Sequence, residues 1–363
     1  MLHAPVNAHR VGDVREVVSR AGAHGALLTS LPDIRWVTGF TGSNGVLLIT
    51  AERALLLTDP RYEEQVRREV TVVDTESVSG SLLTAAAQTI EGPRSFELLV
   101  DSRSLTLEGA EQLNAVGNGA VTLRPEPGIL DSLRCRKSDE EIRSIRRAQF
   151  ITDEVFGELL DTLKPGMSER HVAAEIVYRH MRRGAERMSF EPIVASGPNG
   201  ALPHARPSNR ILAAGDLVVI DMGCVANGYV SDMTRTVAIG SASSKQQEAY
   251  EAVRRSQAEA IQAAKAGIEA RDLDAIARDS LGRDGFADYF VHSLGHGVGL
   301  EVHEWPRIAS TSQDRLPEGA VVTIEPGIYL PKQFGIRIED MVVLRENGCE
   351  NLTASPRELQ VVG

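Results

Sequence analysis

The chain has 363 residues, 42% of them hydrophobic and 25% charged, with a formal net charge of −11. That apolar share excludes a disordered or fibrous protein, the acidic balance disfavours a nucleic-acid partner, and at about 100–200 residues per domain the length suits two domains. Cys135, Cys224 and Cys349 form no CxxC pair, so a cysteine zinc site and a disulfide framework are not expected. The opening MLHAPVNAHRVGDVREVV lacks the basic-then-apolar order of a leader, and no run of about 18 apolar residues occurs. A cytoplasmic protein with no membrane segment is the expectation.

In chain order, Val14, Val17 and Val18 sit at helical spacing, and 25–30, 45–50 and 54–59 are short apolar runs bounded by turn residues, which read as buried strands. A charged helix is expected over RYEEQVRREV, and further strands at Val70–Val73 and Leu98–Val100. This α/β layer is expected to end near Pro125–Gly128, giving domains 1–130 and 131–363. Ser138 with Glu141 three residues on is a capping box that starts a long helix. Pro165-Gly166 stops it, and a second helix begins near Ser168 with Val172, Ile176 and Val177 as its stripe. Strands dominate to about 240, helices are expected at 245–264 and 271–281, and strands return to about 345. The second part thus repeats one plan, two helices and then strands, with no residue-level repeat visible.

The chemistry concentrates in that second part. In DLVVIDMGCVANGYVSDMTRTVAIG (216–240), Asn227-Gly228 between apolar runs predicts a two-residue hairpin loop. Asp221 then opposes Thr234, Asp232 opposes Gly223, and both aspartates share one face while Val218, Ile220 and Met222 take the other. Two buried aspartates are costly unless a cation binds them. In VHSLGHGVGLEVHE (291–304), His292, His296 and His303 cluster among glycines that argue against a helix and are expected to let backbone approach a ligand. Glu325 ends the apolar strand of VVTIEPGIY, and Arg337 and Glu339 alternate with the core-facing Ile336 and Ile338. Asp221, Asp232, Glu325 and Glu339 would balance two divalent cations, with His296 adding a neutral nitrogen. Oxygen-rich ligation with one imidazole suits manganese, cobalt or iron, with zinc allowed. Such a pair of ions would hydrolyse an amide or ester.

SDMTRT, HSLGHGVGLEVHE, TIEPGIY and IRIED together resemble the pita-bread metallopeptidases, which include prolidase, aminopeptidase P and methionine aminopeptidase. FEPIVASGPNGALPHARPS (190–208) resembles the Xaa-Pro branch, and WVTGFTGSNG (36–45) with TDPRYEEQ (58–65) resembles a creatinase-type N-terminal domain. The resemblance implies an α+β chain: an N-terminal creatinase-type α/β domain and a C-terminal pita-bread catalytic domain. It places the ligands of two divalent ions, Mn2+ favoured and Co2+, Zn2+ or Fe2+ allowed, on Asp221, Asp232, His296, Glu325 and Glu339. It implies Glu325 as proton shuttle, His292 and His303 as donors to the tetrahedral intermediate, and His204 on the substrate. Arg337 would support Glu339 or reach a substrate carboxylate, and Tyr329 would line the pocket or simply pack. A homodimer and a short proline-containing peptide substrate are implied as well. The expected activity is that of an Xaa-Pro dipeptidase, with aminopeptidase P as the alternative. Methionine aminopeptidase, a metal-free creatinase-type hydrolase and a catalytically dead binding module fit less well, the first because of the extra N-terminal domain and the others because every ligand is kept.

Overall fold

A computed structural model describes residues 9–90, 95–116 and 120–363; the first eight residues, read above for a leader, lie outside the described residues. The chain divides into two units, Met1–Arg134 and Cys135–Gly363.

The first unit runs α1 (His9–Arg20), β1 (Gly25–Leu28), α2 (Leu31–Thr38), β2 (Gly45–Thr50), β3 (Ala54–Thr58), α3 (Glu63–Glu69), β4 (Asp74–Ser77), α4 (Leu82–Gln88), β5 (Phe96–Asp101), α5 (Leu107–Val116), β6 (Val121–Glu126) and the short α6 (Asp131–Arg134). Its sheet is ordered β4-β3-β2-β1-β5-β6, and the apolar runs of β1, β2, β3 and β5 fill its core. The strand expected at Val70–Val73 forms at Asp74–Ser77 instead. It pairs in parallel with β3 at the sheet edge and is exposed throughout, so apolarity could not mark it. The sequence reading also passed over α2, although Ser30 caps it and Gly39 closes it at φ 79°.

The second unit opens with α7 (Asp139–Leu160), whose Ser138–Glu141 capping box forms as expected, and α8 (Glu169–Arg182). Then come β7 (Arg187–Met188), β8 (Ile193–Ser196), β9 (Leu217–Met222), β10 (Cys224–Ala226), β11 (Tyr229–Val230) and β12 (Met233–Ile239). A second helix pair, α9 (Ser244–Ala263) and α10 (Ala270–Arg283), precedes β13 (Gly295–Gly297), β14 (Glu304–Ile308), β15 (Val321–Ile324), β16 (Gly327–Leu330), β17 (Phe334–Arg337), β18 (Asp340–Arg345), β19 (Gly348–Asn351) and β20 (Gln360–Val362). One sheet is ordered β20-β12-β9-β8 and another β14-β13-β15-β18-β19. The residues of α7 and α8 share a core with Val218, Ile220 and Met222, and those of α9 and α10 share one with Val322, Ile324, Ile336 and Ile338. Val177 is an exception, since it lies exposed on the outer side of α8.

The repeated plan extends to single residues, which the sequence reading did not see. Helices α8 and α10 are each 14 residues long. Gly166 and Gly267 precede them at φ 93° and 82°, and their N–H groups donate to the Leu212 and Leu316 carbonyls. Gly215 and Gly319, at φ 89° and 80°, lead into β9 and β15, and Asp221 and Glu325 lie equally far beyond them. What repeats is a hydrogen-bonding pattern of the backbone, which many side chains satisfy, so it does not show as residue identity.

Candidate metal centre and active site

The hairpin sets the first half of the site. Asn227 and Gly228 hold φ of 51° and 81°, the two positive values a tight hairpin loop of this hand requires. The register follows: Ala226 faces Tyr229, Met222 faces Met233 and Asp221 faces Thr234. Asp221 and Asp232 therefore turn to the side away from the α7/α8 core. In the second half, Ile324 pairs with Asp340, so Glu325 and Glu339 continue neighbouring strands.

These groups converge on a cavity of about 480 Å³ that is also lined by Phe190, Ile193, His204, His292, His303 and Tyr329. One ligand atom each from Asp232, His296 and Glu339 lies within 4.8 Å of the other two. His296 Nε2 is 3.3 Å from Glu325 Oε1 and 3.7 Å from Asp232 Oδ2. Its Nδ1 lies 3.1 Å from the Gly297 carbonyl, which can only accept, so Nδ1 donates there and Nε2 is the nitrogen turned to the carboxylates; burial lowers the pKa of the ring, but Glu325 outweighs it and raises it.

The electrostatics are those of an excess of buried negative charge. Burial, and then the neighbouring carboxylates, hold Asp232 and Glu339 well above the usual carboxylate range. Burial raises Asp221 too, against the pull of Arg337. For Glu325 burial acts upward, but the His296 imidazole outweighs it and the pKa falls. Asp221 Oδ1 is buried with no hydrogen-bond partner. An orphaned carboxylate oxygen, three carboxyls driven toward protonation and an imidazole Nε2 turned to them are a donor set that divalent cations would satisfy.

Comparison with known proteins points to a metallopeptidase as well. Residues 143–346 match metallopeptidase family M24, and residues 10–136 match the creatinase/prolidase N-terminal domain. The chain belongs to family M24. It is 37% identical to the Xaa-Pro dipeptidase of Pyrococcus horikoshii over 96% of this chain and 98% of that one. It superposes on the Xaa-Pro dipeptidase of Bacillus anthracis with a TM-score of 0.94 at 36% identity, covering 98% and 100% of the two chains. The X-Pro aminopeptidase of Thermotoga maritima follows at 0.88 and 34%, covering 97% and 99%. The molecule is thus a metallopeptidase built from a creatinase-type N-terminal domain and a pita-bread catalytic domain.

Within this M24 site several expected roles change. Arg337 does not meet Glu339. Its Nη2 donates to Asp221 Oδ2 at 2.7 Å, its Nη1 to the Tyr329 hydroxyl at 2.7 Å, and its Nε to Thr234 Oγ1 at 3.0 Å. Thr234 then donates to Glu339 Oε2 at 2.7 Å, so support of Glu339 passes through Thr234. With these partners and the Pro203 carbonyl, most of the guanidinium's N–H groups are used within the protein. Tyr329 is part of the same network. Its hydroxyl lies 2.9 Å from His292 Nε2, which accepts its proton when the ring is neutral and protonated at Nδ1. His292 Nδ1 donates to the Ser293 carbonyl at 2.8 Å. His292 is neutral, its pKa lowered by burial, and has no donor left for an oxyanion. His303 and His204 both reach the cavity from its exposed rim. The glycines of the histidine motif also serve a different end from the one expected. A Cβ at Gly297 would meet the Trp305 and Glu304 carbonyls, and one at Gly299 the Glu304 carboxylate, so they make room for the returning strand rather than for a ligand.

Sequence reasoning missed Thr234 and undervalued Tyr329. The register that pairs Thr234 with Asp221 was the available signal for the first; nothing local marks the second.

Proposed function

We propose that this metallopeptidase hydrolyses the bond between an N-terminal residue and proline, with Xaa-Pro dipeptides as substrates. The observation that carries the reading is the meeting of Asp221, Asp232, His296, Glu325 and Glu339 in one cavity, with Asp221 Oδ1 unpartnered. These five residues would hold two divalent cations, with manganese favoured by the oxygen-rich donor set. When bound, the ions supply Lewis acidity and a hydrolytic water made acidic enough to ionise near neutral pH. The choice of proline rests on the relatives named Xaa-Pro dipeptidases.

The chain's own groups do the rest. Glu325 Oε1, already sharing a hydrogen with His296, is placed to accept a proton and pass it to the departing proline nitrogen. His303 donates to the oxygen on which charge develops, and His204 contacts the substrate from the rim. Arg337 and Thr234 hold Asp221 and Glu339 at fixed angles, and His292 fixes Tyr329 between them. Phe190, Ile193 and Val302 give the cavity an apolar side that fits the pyrrolidine ring.

Cleavage of longer Xaa-Pro peptides is the second reading, favoured by the likeness to an X-Pro aminopeptidase. Hydrolysis of Ala-Pro and Ala-Pro-Ala by chelator-stripped, manganese-reloaded protein separates them. Cleavage of Ala-Pro alone is the expected result. Release of alanine from the tripeptide would make the protein an aminopeptidase P, and cleavage of neither would remove the proline reading.

A further inference from the structure

His303 is an exposed residue, yet its ring stands 4.4 Å, centroid to centroid, from that of His296. Beyond that ring contact, the placement of an exposed imidazole depends on the backbone that carries it. That backbone is the short loop between β13 and β14, and Glu304 closes it. Glu304 Oε1 accepts the Leu300 and Glu301 N–H groups at 2.9 and 3.2 Å. Gly299 lies directly against the same carboxylate. On its other oxygen, Oε2, the Lys137 ammonium donates at 2.9 Å.

The pair is buried: the Lys137 side chain is 1% exposed and that of Glu304 6%. A lysine so far from water is costly unless it is paired and held, and charged surface positions were available to this chain. Lys137 is itself tied down, since its N–H donates to the Gly319 carbonyl and it immediately precedes the N-cap Ser138 of α7. On the opposite side, Gly299 accepts the Val230 N–H from the hairpin that carries Asp232. The loop under His303 is thus strung between the start of α7 and the aspartate hairpin.

We propose that Lys137 and Glu304 are positioning residues for the hydrolysis, acting through the backbone of 299–304 to hold His303 against the site. The proposal rests on the Xaa-Pro peptidase reading for the reaction it serves, but not for the placement it describes. Neither residue touches substrate. Removing the carboxylate charge leaves the two N–H groups weakly held and the ammonium unpaired. Truncating the lysine takes the ammonium away from the carboxylate.

The test compares wild type, Glu304→Gln and Lys137→Met in the manganese-loaded full chain. In both variants kcat on Ala-Pro is expected to fall about 10- to 100-fold, as for a misplaced catalytic group. KM and bound manganese per chain should stay close to wild type. The second readout needs no substrate and is made on the diamagnetic, chelator-stripped protein: the Cε1–H NMR signal of His303, assigned with His303→Gln, is expected to shift or broaden in both variants. The His204 signal, on the same rim but outside the loop, should not move. Wild-type kcat, or an unmoved His303 signal in folded variant, overturns the proposal. So does a loss of activity that only tracks lost manganese. If wild type cleaves neither Ala-Pro nor Ala-Pro-Ala, the functional reading fails, and the His303 signal alone decides the positioning role. Lys137→Met removes only one partner of the carboxylate and covers the case in which Glu304→Gln does not fold.

Discussion

At the scale of single residues, the site works by giving chemically similar carboxyls different surroundings. Asp232 and Glu339 face other carboxylates and are driven toward protonation, whereas Glu325 has the His296 imidazole beside it and stays ionised. An ionised group 3.3 Å from a nitrogen that can hold a proton is suited to moving one. Glu325→Gln keeps the shape and removes that capacity. Its kcat on Ala-Pro is expected to drop about 10²–10⁴-fold, with an unchanged circular dichroism spectrum. A variant with near-normal turnover would take Glu325 out of the mechanism. The reassignment of His292 belongs to the same scale: its position in the motif matched an oxyanion donor, but its two nitrogens are already used by Ser293 and Tyr329.

Among the elements, the aspartate hairpin has the most exacting geometry. Beyond Asn227-Gly228 the two strands pass from one sheet into another at Gly223, where a Cβ would overlap the Ser231 carbonyl oxygen. Asp221 lies just before this crossing and Asp232 within it, so their spacing depends on the close approach. Gly223→Ala must push the strands apart. It is expected to lower stability by about 1–3 kcal/mol and to weaken manganese binding, seen as a lower melting temperature and less metal retained after gel filtration. Full metal retention would show that the spacing of the aspartates tolerates the shift. The glycines near His296 follow the same logic, because the return strand carrying Glu304 and Trp305 runs against them.

For the molecule as a whole, the metal-free site is proton-loaded. Asp221, Asp232 and Glu339 bind protons more tightly when folded than in the unfolded chain. Over the interval above the ordinary carboxylate range the folded state therefore carries extra protons, and the stability of the metal-free protein falls as pH rises through it. Cations must displace those protons, so manganese affinity should rise with pH across the same interval. Calorimetric titration of the chelator-stripped protein in two buffers of different ionisation enthalpy reads the release directly. Heats independent of the buffer would mean that the carboxyls are already ionised before metal binds. The wider architecture, two helix pairs each backing its own sheet, brings Asp221 and Glu325 from equivalent places in the two halves to one cavity.

The sequence by itself determined the parts governed by local rules. Helix caps at Ser138 and Ser168, the Asn227-Gly228 loop and the period-two alternation fixed which side chains share a face, because each depends on backbone geometry within a few residues. Part of the proposed ligand set was legible for the same reason: parity around one loop puts Asp221 and Asp232 on one face, and a strand end marks Glu325, while the full set rested on the resemblance of the motifs. Only the tertiary structure decided who partners whom. Arg337 holds Asp221 rather than Glu339, Tyr329 saturates His292, and Lys137 reaches Glu304 from far back in the chain. Those outcomes turn on distances of about an ångström between strands remote in sequence, and a hydrogen bond is steep enough in distance and angle for that ångström to choose the partner.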